Sequence, residues 1–121
     1  MQKWAKDERL GVKERAHLNV KLDLLSRVGF EQAKSLKFFA GTSGERNHIY
    51  KVIVKSQRML RPMICRGPED MHGEFTLLCG AIEKDMELHP SDAAKRADLR
   101  RMEVETALRK GHPRRVEHEP F

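Results

Sequence analysis

Three runs of sequence between His48 and Ile82 decide the fold. The first is His48-Ile49-Tyr50-Lys51-Val52-Ile53-Val54-Lys55, the second Met59-Leu60-Arg61-Pro62-Met63-Ile64-Cys65-Arg66, and the third Glu74-Phe75-Thr76-Leu77-Leu78-Cys79-Gly80-Ala81-Ile82. The first is dense in β-branched and aromatic residues, which pack well on a pleated surface and badly in a helix. Ser56-Gln57-Arg58 is short and polar enough to turn a hairpin into the second run. Pro62 removes one backbone donor there, so an edge position or a bulge is expected. The third run is apolar on both faces and is expected to be central. Three strands with short links predict an antiparallel meander containing Tyr50, Ile64 and Leu77.

Helical spacing takes over on either side. Val12 to Val28 carries Leu18, Leu22 and Leu25 in one row and Val20, Leu24 and Val28 in another, which reads as one wide apolar face. Gly29 is the expected left-handed stop. Trp4 to Leu10 reads as a shorter helix broken by Gly11, Phe30 to Phe39 as a third helical piece, and Gly41 to Gly44 as a loop. The last helix is expected to start near Pro90-Ser91-Asp92, run to about Arg109 and stop at Lys110-Gly111. The expected class is α+β, with N-terminal helices, an antiparallel β-meander sheet, a C-terminal helix, and the helices packed on one side. Residues 1–110 form one domain in this reading, and 111–121 a charged C-terminal tail.

The chain has 121 residues and a net charge of +6. Between Arg46 and Pro68 stand Arg46, Lys51, Lys55, Arg58, Arg61 and Arg66 with no acidic residue, so this segment holds the whole positive excess. Such a block is the footprint of a polyanion site, or a solvated strand pair guarded by cations. No apolar run is long enough to span a bilayer or serve as a secretion signal. Cys65 and Cys79 lie in apolar runs, where reduced cysteine acts as a small hydrophobe, so free thiols and a cytoplasmic location are expected. Paired zinc-ligand motifs, a phosphate-cradling glycine loop and a nucleophile elbow are all missing from the sequence.

An ordered set of short strings resembles the RelE/HigB-like toxin superfamily, in its phage-related HigB-like branch. Leu22-Asp23-Leu24-Leu25 resembles that family's second helix, and Ile49-Tyr50-Lys51-Val52 the start of its first meander strand. Leu60-Arg61-Pro62-Met63 resembles the next strand, which usually carries an arginine there. Phe75-Thr76-Leu77-Leu78 through Ala81-Ile82-Glu83-Lys84 resembles the third, and Asp92-Ala93 with Arg100-Arg101 the closing helix. The resemblance covers roughly Trp4 to Val104. It implies the toxin of a type II toxin–antitoxin pair, cutting mRNA on the ribosome and held in check by a cognate antitoxin. A homodimer is left open. The sequence departs from the family pattern at Ile53, Asp85 and His89, where arginine, lysine and threonine are usual. Those departures keep an alternative in play: a catalytically degenerate relative that binds RNA or a partner protein without cleavage.

RNA cleavage of this kind uses the substrate's own 2′-hydroxyl and needs no metal or other cofactor. The protein must take a proton, steady the phosphate charge and return a proton to the leaving oxygen. The resemblance selects Arg61 for the phosphate and Lys84 beside it; His89 and Tyr50 complete the expected catalytic set. Lys51, Lys55, Arg58, Arg66 and, from the last helix, Arg101 are the expected RNA contacts. Strand alternation puts Lys51 and Lys55 on the face opposite Tyr50, Val52 and Val54, and sends Arg61 and Arg66 to opposite faces unless a bulge at Pro62 changes the count.

Overall fold

The computed structural model describes residues 1–41, 48–111 and 118–121. Three helices come first: α1 (Gln2–Asp7), α2 (Val12–Arg27) and α3 (Phe30–Ser35). Among the described residues six strands follow: β1 (Phe39–Gly41), β2 (Tyr50–Val52), β3 (Val54–Lys55), β4 (Met59–Arg66), β5 (Phe75–Lys84) and β6 (Glu87–His89). The closing helix α4 spans Ala93–Arg109. The sheet is antiparallel throughout, in the order β1-β2-β4-β5-β6, and β3 continues the line of β2 along β4.

The three predicted strands are present and contain Tyr50, Ile64 and Leu77. Two more were read otherwise. Phe39 was assigned to a helix, but α3 stops at Ser35, Lys37 turns the chain at φ 58°, and Phe39–Gly41 pairs with Tyr50–Val52. Lys84 to Pro90, which in the family resembled is a turn, is the second case. Here Asp85 and Met86, at φ 52° and 65°, make a two-residue hairpin that folds β6 back on β5. Met86 is 95% exposed, so its left-handed backbone has no packing to repay it. Met86→Gly is expected to raise stability by about 0.5–1 kcal/mol in urea unfolding; a loss would contradict this account of the turn.

Pro62 is not at an edge, because β4 is paired on both sides. Register places it opposite Val52, where β2 gives way to β3. There it has no N–H to offer, and Ile53 turns its own N–H to the Phe38 carbonyl at 2.9 Å. The bulge lies elsewhere: Met63 pairs with Cys79 and Ile64 with Leu77, so Leu78 is the extra residue, on β5. The Leu78 carbonyl accepts a 2.7 Å hydrogen bond from Arg100 Nη1 of α4, which gives a carbonyl at this irregularity a charged donor.

The expected one-sided packing is corrected: helices cover both faces. Leu18 and Leu25 of α2, Phe30 of α3 and Ala5 of α1 bury against Val52, Val54, Leu60 and Ile64 on one face. Ala97 of α4, flanked by Ala94, packs with Ile49, Met63, Cys65 and Leu78 on the other. The N-terminal layer approaches closely enough that a Cβ on Gly80 would overlap the Trp4 indole. Gly80→Ala is therefore expected to cost about 1–3 kcal/mol by overpacking, read as an earlier thermal midpoint. Gly29 is not a left-handed stop: at φ −76° it starts α3, and a side chain there would press on the His72 carbonyl, which accepts the Phe30 N–H.

The apolar face of α2 is narrower than expected. At about 100° per residue Val20 and Leu24 stand roughly 200–240° round from Leu18, away from the core row. They are 61% and 42% exposed. The last four residues do more than trail. Phe121 meets Trp4 edge to face at 6.5 Å, and its N–H donates to Asn19 Oδ1 at 2.8 Å.

Candidate functional site

Alternation along β4 turns Met63 and Cys65 toward α4, and Arg61 with them. The same phase brings Lys51 from β2 and Glu83 from β5 onto this face. Lys51 Nζ lies 2.7 Å from Glu83 Oε1. Arg61 reaches Glu83 Oε2 through Nη2 at 2.9 Å and Nε at 3.1 Å, and donates Nη1 to the Leu60 carbonyl at 3.0 Å. The Arg61 side chain is 7% exposed, while Glu83 and Lys51 keep 20% and 24%. Two cations thus converge on one carboxylate, leaving one net positive charge at a mostly covered patch. The Lys51 hydrogen bond, helped by Arg61, holds the Glu83 carboxyl below its usual range against the opposing effect of burial.

Of the expected catalytic residues, only Arg61 lies in this cluster. Tyr50 packs with Phe30 and Phe39 in the core beneath the N-terminal helices. Across the β5–β6 ladder His89 pairs with Ile82 and Lys84 with Glu87, and Ile82 belongs to that same core. Residues opposed in a ladder share a face, so Lys84 and His89 lie on the side away from Arg61. Glu83 is the residue sequence reasoning missed. Its signal was strand phase: two residues past Ala81, which opposes Arg61, it falls on the arginine's own face.

The expected RNA contacts are dispersed as well. Arg58 joins the N-terminal layer, with Nη2 2.8 Å and Nε 2.9 Å from the buried Glu14 carboxylate and Nη2 also on the Glu8 carbonyl. The same Glu14 reaches back to the Gly11 N–H at the start of α2. Arg58 leads the influences that pull the Glu14 carboxyl below its usual range. Arg66 lies over the Phe30 ring at 3.7 Å and donates to the Met71 carbonyl, so Arg61 and Arg66 do occupy opposite faces. Arg101 pairs with Asp98 and Glu105 along its own helix. Lys55 is exposed beside α2. Arg46 lies outside the described residues. The acid-free segment is thus not an acid-free surface: Glu8, Glu14 and Glu83, distant in sequence, neutralise much of it.

Cys65 and Cys79 are free thiols, and burial pushes the Cys65 thiol up to about 11 and raises that of Cys79. Neither is a ready nucleophile. Among the described residues no three of His, Cys, Asp and Glu gather into a candidate metal site, and no helix is long and apolar enough to cross a membrane. No family model, curated protein or solved structure matches the chain.

Proposed function

We propose that this protein is a metal-independent RNA endonuclease of the RelE/HigB-like toxin kind, acting on mRNA at the ribosome in the cytoplasm and restrained by an antitoxin. The observation that carries the reading is the convergence of Arg61, Lys51 and Glu83 on one face of the sheet. These three side chains supply the three requirements of 2′-hydroxyl transesterification. The Glu83 carboxylate takes the proton of the 2′-hydroxyl, whose oxygen bonds to phosphorus. The Arg61 fork holds the non-bridging oxygens as charge builds on them. The bond from phosphorus to the 5′-oxygen breaks, and Lys51, parted from Glu83 as the phosphate enters between them, gives that oxygen its proton on the side opposite the attack. The products are a 2′,3′-cyclic phosphate and a 5′-hydroxyl.

In the free protein Arg61 is turned onto Glu83, which makes the carboxylate a weak base. A phosphate entering the cluster competes for the arginine. As that contact loosens, one of the two cations that hold the Glu83 pKa down is drawn away and the carboxylate becomes a stronger base, while Lys51 still favours its charged form. Tyr50, Lys84 and His89 have no part in this scheme.

A second reading, a relative that binds RNA without cutting it, is favoured by one feature: the Arg61 fork is already satisfied internally. Induced expression in a bacterial host separates the two. Growth arrest with cleavage of ribosome-bound mRNA supports the endonuclease. RNA binding with neither effect supports the silent module.

A further inference from the structure

Beside the open edge of β3 lies a second surface that the RNA chemistry does not use. A groove of about 650 Å³ runs between α2 and the strand edge, with His17, Val20, Lys21 and Leu24 on the helix side and Lys37 and Lys55 facing them. Among the described residues its lining includes three lysines and no carboxylate. Lys21 sits over the Phe38 ring at 4.7 Å, and His17 shares a 2.7 Å hydrogen bond with Ser56. Its floor is apolar, and includes the exposed Val20 and Leu24 that the α2 core row leaves out. Its far wall is a short strand edge: β1 extends no further than Phe39 and the Ile53 N–H is taken by the Phe38 carbonyl, while the two residues Val54–Lys55 pair with β4 on one side.

We propose that this groove docks an extended acidic segment of a partner protein. An open strand edge offers backbone hydrogen bonds to an incoming strand. Alternation along that strand would set apolar side chains on Val20 and Leu24 and carboxylates toward Lys21, Lys37 and Lys55. An acid-free lining selects against basic segments, and the apolar floor gives a peptide something that a sugar-phosphate backbone cannot use. This inference does not rest on the RNA reading, because Arg61, Lys51 and Glu83 do not line the groove.

The test uses a fluorescein-labelled ten-residue peptide alternating glutamate and valine, its counterpart with lysine for glutamate, and a short oligouridylate, each titrated into the whole ¹⁵N-labelled protein. The acidic peptide is expected to bind and the lysine peptide not to. Amide shifts should centre on Val20, Leu24, Val54 and Lys55. The Lys37→Glu/Lys55→Glu double variant, altered only at exposed positions, should weaken binding by about tenfold or more, while Lys95→Glu on α4 should leave it unchanged. Equal binding of both peptides, no binding of the acidic one, or shifts centred elsewhere would overturn the proposal. So would an oligouridylate that shifts Val54 and Lys55 as the peptide does, since the groove would then be an RNA surface.

Discussion

Glu83→Gln is expected to slow RNA cleavage by about 10²–10⁴-fold, the usual worth of a positioned general base. Glutamine keeps the size and a hydrogen-bonding oxygen for Lys51 or Arg61 but leaves the buried Arg61 without its counter-charge, so some stability is lost and the rates are compared at a temperature where both proteins are folded. The pH dependence separates this role from a purely structural one. The Glu83 carboxyl titrates below its usual range because Lys51 and then Arg61 favour its charged form. The acid limb of kcat/KM, which reports the free enzyme, should therefore lie below the ordinary carboxylate range and disappear in the variant. Stability follows the same sign. The folded pKa is depressed, so the contribution of Glu83 is present above its unfolded value and is lost as pH falls through the folded one. If Glu83→Gln cuts RNA as fast as the wild type, Glu83 is not the base.

Arg58→Ala is expected to act on stability rather than on RNA. Its removal leaves the Glu14 carboxylate 3% exposed and without its main partner. Breaking a buried pair from one side costs about 3–5 kcal/mol. Arg58 is itself about one-third exposed and screened by solvent, so about 2–3 kcal/mol is the better figure here. For a chain of this size that is a drop of roughly 10 °C in thermal midpoint. The loss should shrink in acid, where Glu14 is protonated: its folded pKa is depressed, so the pair contributes above the unfolded value and fades below it. A variant that melts with the wild type but binds RNA more weakly would restore Arg58 to the interface.

The two arginines show what the sequence could and could not convey. Period-two alternation was legible, and it correctly sent Arg61 and Arg66 to opposite faces and Lys51 to the face opposite Tyr50, Val52 and Val54. The bounds of α4 were legible too, from the Pro-Ser-Asp start and the Lys-Gly stop. Charge pairing was not. Glu14 and Arg58 lie 44 residues apart, and only the docking of α2 onto the β3–β4 hairpin brings them together. Glu83 was visible in the string but read through its neighbour Lys84, which the strand phase turns the other way. The hairpin at Asp85-Met86 hid because it contains no glycine, the residue that usually betrays two left-handed positions in a row. The Leu78 bulge hid behind Pro62, whose missing donor is accommodated instead at the junction of β2 and β3.

The most direct test of the central claim is the chemistry of the cut ends. The purified protein is incubated with 5′-labelled mRNA, free and ribosome-bound, in EDTA, and the fragments are resolved by their termini. Wild type is predicted to yield 2′,3′-cyclic phosphate and 5′-hydroxyl ends in the presence of the chelator. Arg61→Ala is predicted to slow the reaction by about a hundredfold or more, as loss of a transition-state phosphate contact does. No cleavage by the wild type on either substrate, or cleavage that leaves 5′-phosphate ends and stops with EDTA, would contradict the account.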